Sequence, residues 1–440
     1  MTTALTTTRR LARHVLSYRD APLSSSALVV AKQCVLDWFA VTLAAHNAPL
    51  VRFLRDEIGG AGPATIVGTS QRCSPCDAAL VNGAASHALD YDDTHHFVGH
   101  PTVGVFPAAL AVAEWRASSG AAALRAFVAG VEAAAVLGSI VLPDHYERGF
   151  HATGTLGCFG AAAAAGLLLD LDEDQMTMAL GLAGTQAAGL KAMFGSMAKP
   201  FHAGKAASNG VLAARLAKRG FTAHDDVLDA DQGFIATQGR ARPSSEARFI
   251  APGEIIIETL FKYHAACYGT HSAIEAVSAL AKAHKLSPDD IEAIDVRIHP
   301  SMLKVCNISA PRTGLEIKFS LSHLSALTIL GVDTAAIETF SDATAERSDA
   351  VALRDLVRVQ GGGDDSVTAA EVEITTRFGK RFKRREDAGV PLKDFTEQQA
   401  RVARKYRSLT LPVLGAERSH RLCDAINNLD HADDVSTLLR

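Results

Sequence analysis

The stretch His87-Ala88-Leu89-Asp90-Tyr91-Asp92-Asp93-Thr94-His95-His96, followed by Gly99-His100-Pro101, sets three carboxylates and four imidazoles within fourteen positions. Imidazoles and carboxylates held together can exchange protons near neutral pH or bind a metal. The flanks, Val81 to Ala85 and Val103 to Ala113, are alanine-rich and apolar. A solvated run of charge does not normally separate two core-forming segments. The pattern reads as a helix end and loop carrying polar groups into a pocket. His96 and His100 are four apart, and helical residues at that spacing share a face. A metal held by Asp92, Asp93, His96 and His100 is therefore one reading. Gly99 and Pro101 interrupt any helix through His100, which favours the other, proton transfer at this cluster. His87 alone reads as structural.

Three further polar islands follow. His151 comes after Gly149-Phe150 and before Thr153-Gly154-Thr155, at the start of a small-residue helix. A helix N-terminus offers free N–H groups and positive partial charge, which suits a carboxylate; the alternative is that a threonine simply caps the helix. Tyr146, just upstream, is a proton donor or a packed aromatic. Lys199 and His202 lie in the segment Ser196 to Lys205, where Pro200 predicts a loop with Lys199 extended. A lysine there can neutralise a substrate carboxylate or an enolate-like intermediate. Lys262, Tyr263, His264, Cys267 and His271 form the last island, at a change of texture of the kind that favours binding sites. Nothing pairs Cys267 with a specific base.

The elements that must position these groups are mostly helical. Amphipathic helices are expected over Leu5–Tyr18 and Ser26–Ala45, with serine caps at Ser24 to Ser26. Pro75 opens a helix toward Leu89. Others span Val103–Ser118, Ala121–Leu142, Ala161–Leu169, Asp172–Leu190 and Ala206–Arg219, the last ended by Gly220. The Ala161–Leu169 helix, dense in small residues, reads as central and buried. Ala64 to Val67 predicts a short extended piece. Beyond about residue 265, Ile294, Val296 and Ile298 alternate with polar residues, as do Val372 and Ile374. Phe378-Gly379-Lys380 then turns a hairpin through Arg381 to Arg385. Helices are expected at His271–Lys285 and Ser320–Leu330, with Gly361 to Asp365 a flexible connector. The fold class is mainly α. An all-helical domain is built from residues 1–265 with the helical tail 396–440, and a smaller α+β domain from residues 266–395.

Bulk properties narrow the function. A chain of 440 residues can bury a large core. Its net charge of −4 argues against broad attraction to nucleic acid or anionic membrane. An anionic substrate must therefore be held by local cations. Met1 to Arg10 lacks the apolar core of a signal peptide, and the apolar run Leu156 to Leu169 is short for a membrane span. Seven scattered cysteines fit a reducing cytoplasm, and the lone Cys73-Ser-Pro-Cys76 reads as a turn. No GxGxxG or P-loop pattern supports a nucleotide cofactor.

The islands, in this order, resemble the MmgE/PrpD family across nearly the whole chain. The matching motifs are His87-Ala-Leu-Asp90-Tyr-Asp-Asp93-Thr94 with His100-Pro101, Gly149-Phe-His151 with Gly154-Thr-Leu-Gly157, and Lys199-Pro-Phe-His202-Ala-Gly-Lys205. Lys262 to Cys267 and Lys318-Phe-Ser-Leu also fit. The family includes 2-methylcitrate dehydratase, cis-aconitate decarboxylase and iminodisuccinate epimerase. The resemblance implies a helical domain with an α+β lid, a homodimer, and chemistry without metal or organic cofactor. By motif match Asp90, Thr94, His100, His151, Lys199, Lys262 and Cys267 line the site, and Tyr146 resembles an acid/base tyrosine of the epimerase branch. His264 stands where proline is frequent, and Thr102-Val103-Gly104 departs from the methylcitrate branch. The expected activity is elimination of water or CO2 from a di- or tricarboxylic acid through a carbanion-like intermediate. Epimerisation through the same proton-transfer site is the runner-up, and a metal-dependent hydrolase the alternative of another class. On this reading His100 and His151 move protons and Lys199 and Lys262 hold carboxylates. Asp90 orients a histidine, and Thr94 and His202 contact the substrate.

Overall fold

The computed structural model describes residues 5–239, 247–362 and 366–439. Helix outweighs strand, 59% to 9%, so the chain is mainly α. Contacts divide it into two compact units, Met1–Phe261 with Asp394–Arg440, and Lys262–Lys393.

In the first unit local chemistry sets each helix start. Thr6 and Ser24 cap α1 (Thr7–Ser17) and α2 (Ser25–Ala45). Ser74 caps α3 (Pro75–His87), with Pro75 in its first turn. Pro101 likewise opens α4 (Pro101–Arg116), and Ser119 caps α5 (Gly120–Val141). There follow α6 (Ala152–Leu168), α7 (Glu173–Gln186) with an Asp172–Gln175 capping box, and α8 (Ala198–Lys218). The tail forms α9 (Phe395–Asn427), broken at Gly415. Every residue of α6 is buried, as its small-residue composition predicts. A Cβ on Gly204 of α8 would lie 2.2 Å from the Leu80 carbonyl, and one on Gly160 of α6 2.6 Å from that of Gly130. Only glycine lets these backbones approach so closely.

The structure corrects three local expectations. Helix α2 is buried on nearly all sides rather than amphipathic. It and α5 are long and apolar enough to cross a membrane, but 78% and 94% of their apolar windows are buried inside this fold. The segment Ser196 to Lys205 is not a loop: α8 starts at Ala198, and Lys199 is helical. Pro200 falls in the first turn, where its missing N–H would have no intrahelical partner. Helix α7 stops at Gln186, and Leu190 makes a bridge with Phe150 instead.

The second unit is a mixed four-stranded sheet in the order β2-β1-β3-β4. Its strands are β1 (Ile291–Ile298), β2 (Val357–Gly361), β3 (Ala369–Thr376) and β4 (Arg381–Asp387). The expected hairpin is β3–β4, turning through Gly379 at φ 74°. β1 runs antiparallel to β3 and parallel to β2. Gly361 pairs with Ile298 at the end of β2 rather than joining a connector, and Gly363 to Asp365 lie outside the described residues. Ala273, Val277 and Leu280 of helix His271–His284 join Ile294, Val296, Val372 and Ile374 in one core.

Candidate active site

Four helix ends of the first unit meet at the aspartate–histidine stretch. His87 is the last residue of α3; His100 and His151 are the N-caps of α4 and α6; Lys199 and His202 lie in the first two turns of α8. The turn between α3 and α4 supplies Asp90 and Asp92. Asp90 takes the left-handed conformation at φ 50°, which aspartate tolerates better than most residues. The His87 and His100 rings are 4.5 Å apart, and His151 stacks on His87 at 5.9 Å. The His151 and His202 Nδ1 atoms are 3.0 Å apart, sharing one proton. Phe194 packs edge-on against His151 at 4.9 Å and lies 5.2 Å from the Lys199 ammonium.

Asp92 joins the two halves. It is fully buried; Oδ1 lies 2.9 Å from His87 Nδ1, and Oδ2 2.7 Å from His100 Nδ1. Burial alone would raise its pKa, but His87 and His100 together pull it well below the carboxylate range. An ionised Asp92 only accepts, so His87 Nδ1 carries the proton of their hydrogen bond and His87 Nε2 is left as a lone pair in the neutral ring; the His100 Nδ1–Asp92 Oδ2 approach is an ion-pair contact outside hydrogen-bond geometry. His87 Nε2 is buried without a hydrogen-bond partner among the described residues. Burial pushes the His87 pKa down to about 4 against the pull of Asp92. Burial, with His87, His100, Lys199 and His202 adding, pushes His151 much lower still. Both rings are therefore neutral at physiological pH.

Solvent reaches the cluster at Asp90, whose side chain is 51% exposed beside Lys199 and His100 at 15% and 14%. Lys199 Nζ lies 2.7 Å from Asp90 Oδ1, and His100 Nε2 3.5 Å from the same oxygen. That oxygen marks a position where an anion meets an ammonium and an imidazole, with the positive ends of three helices nearby.

The expected residues divide clearly. Asp90, His100, His151, Lys199 and His202 come together. Tyr146 is 42% exposed with Lys191 Nζ 3.6 Å from its ring centre; burial and the Asp90 charge raise its pKa, so it stays a donor. Thr94 pairs through its backbone with Leu260, and its buried hydroxyl has no partner among the described residues. Lys262 and Cys267 belong to the second unit.

The spacing-based metal set does not assemble. Asp93 turns inward to Thr102, Oδ2 to Oγ1 2.5 Å, and His96 is exposed. Instead His87, Asp90, Asp92 and His100 offer atoms within 4.8 Å of one another. Lys199 already places a cation on that group, at Asp90. Sequence reasoning missed two members, His87 and Asp92 in their paired role. Gly83 carried a usable signal: it marks the face of α3 packed on Gly204 of α8, and His87, four residues on, continues that face.

Residues 9–246 match the MmgE/PrpD N-terminal domain and residues 264–431 the MmgE/PrpD C-terminal domain. The human cis-aconitate decarboxylase is 28% identical over 385 residues, covering 83% of this chain and 79% of the relative. The mouse protein of the same name is 28% identical over 395 residues, 84% and 78% of the two chains. The Aspergillus terreus cis-aconitate decarboxylase is 27% identical over 409 residues, 86% and 83% of the two chains. The chain belongs to the MmgE/PrpD family.

Proposed function

We propose, with family membership as the premise, that the chain is a lyase acting on a small di- or tricarboxylic acid. Loss of CO2 is the first reading and loss of water the second. The observation that carries this is the Asp92 carboxylate shared by His87 and His100 beside the Lys199–Asp90 pair. Relatives named as decarboxylases support elimination over epimerisation; of the residues expected for a metal-dependent hydrolase, Asp93 and His96 do not join the cluster.

One substrate carboxylate takes the place of the Asp90 oxygen, against Lys199 and His100. The departing carboxylate sheds water beside Phe194 and the buried imidazoles. Its C–C bond breaks to release CO2, and the electron pair passes into the remaining unsaturated acid. A proton delivered to carbon closes the balance. His100 takes a proton from solvent at the open side beside Asp90 and passes it to that carbon, and Asp92 stabilises the imidazolium in between, as a buried carboxylate does for a catalytic histidine. In the dehydration variant the same imidazoles remove a carbon-bound proton and protonate the leaving hydroxide.

The test is turnover on a panel of polycarboxylates including cis-aconitate, followed by CO2 release and deuterium incorporation from D2O. His151→Ala is expected to lower kcat by about 10²–10⁴-fold with the fold intact. Near-normal activity in that variant, or no turnover of any panel acid by the wild type, rejects the proposal.

A further inference from the structure

We infer that Lys405 and Asp37 are positioning residues that hold the Asp92 turn in its working geometry. This rests on the function proposed above. Asp37 is on α2 and Lys405 on α9, and each side chain is 1% exposed. Lys405 Nζ lies 2.6 Å from Asp37 Oδ1. The same ammonium donates to the Tyr91 carbonyl and stands 4.0 Å from the centre of the Tyr91 ring. Burial raises the Asp37 pKa to about 6 against the pull of Lys405, with the Asp93 backbone N–H a lesser influence nearby.

The peptide group engaged is the one just before Asp92: Lys405 takes the carbonyl of the 91–92 peptide, and Asp37 holds the Lys405 ammonium there. The backbone of Asp92 is thus held at its N-terminal side, while its carboxylate meets two imidazoles. A small rotation of that peptide would swing the carboxylate away from His87 or His100. A purely structural link between α2 and α9 does not need these charges. Gln398 Nε2 already donates to Gln33 Oε1 at 2.6 Å, and Gln33 Nε2 to the Phe395 carbonyl at 3.0 Å. Buried ion pairs are commonly replaceable by apolar side chains without loss of stability. An apolar pair could not engage the Tyr91 carbonyl.

The test is the double variant D37N/K405M in the full chain, which removes both charges together. The expected result is a folded protein with kcat lowered tenfold or more, KM changed less than threefold, and a displaced acid limb of the pH–rate profile. Selective ¹⁵N-histidine labelling reads the geometry without turnover: the ring signals of His87, hydrogen-bonded to Asp92, and of His100 beside it should broaden or move. A folded double variant with unchanged kcat and unchanged imidazole signals overturns the inference. Should the double variant fail to fold, Lys405→Met alone carries the test, because it removes the donor to the Tyr91 carbonyl while the lone Asp37 can take up a proton. Unchanged imidazole signals there are equally fatal. If the wild type turns over no acid, the proposed function fails, whereas the imidazole signals still decide the positioning role.

Discussion

The turn that follows Asp90 has two sides, and adjacent aspartates serve them. Asp92 points to the histidines; Asp93 points into the core, where Thr102 donates to it and Cys34 and Asp37 lie close. Both are fully buried, and their pKa values move in opposite directions. Two imidazoles hold Asp92 in its charged form. Burial, reinforced by the Asp37 charge, raises Asp93 to about 8, so its proton stays on at neutral pH. Burial alone therefore does not decide the charge of a carboxyl; the character of its neighbours does. One residue type, used twice in succession, supplies a charged partner for two imidazoles and a neutral hydrogen-bonding group for the scaffold.

The comparison can be broken most decisively at Asp92. Asp92→Asn turns an acceptor into a group that also donates and disturbs the tautomers of both imidazoles. We expect kcat to fall by about 10³-fold or more; a loss below tenfold would mean the shared carboxylate does little. Lys199→Ala should cost about 10–100-fold in kcat/KM, mostly through KM, because ground-state binding of a carboxylate is removed. An effect on kcat alone would move Lys199 from binding to the transition state.

A third prediction sharpens the contrast through pH. The folded pKa of His87, about 4, lies below its unfolded value near 6.5. The stability it contributes is present above 6.5 and declines as pH falls toward 4, with a limiting slope of about 1.4 kcal/mol per pH unit. His87→Gln should flatten that acid decline in chemical denaturation series; an unchanged slope would assign the decline elsewhere. The smallest effect on turnover is expected for Asp93→Asn, below about threefold, since an amide resembles the protonated carboxyl. Asp93 is raised above its unfolded value, so its contribution is complete below about 3.8 and is lost as pH rises through about 8. The Asn variant should lack that alkaline loss, and melting curves between pH 6 and 9 would show it.

Much of this could be read without coordinates. The helical body follows from caps, small-residue runs and apolar patterning, and the β3–β4 hairpin from strict alternation around Phe378-Gly379-Lys380. His100, His151 and Lys199 stood out because each carries chemistry between apolar segments. Lys199 lies on a helix where the sequence predicts a loop, since the proline bias against helix weakens in a first turn. The parallel strand β2 escaped because Val357–Gly361 is short and half-exposed, so its alternation is faint. Asp37 and Lys405 escaped for a different reason. Each sits within a helix with no local mark of function, and only the fold brings them under the same turn.

Lys405 reaches the Tyr91 carbonyl across 314 positions of sequence. Synthesis runs from the N-terminus and early segments emerge first, so every imidazole of the cluster is made long before the lysine that steadies its central carboxylate. A ribosome-bound chain thus carries the histidines without the support beneath them. Competence for chemistry arrives with the final helix, and a product truncated ahead of α9 should be inert however well its earlier helices assemble.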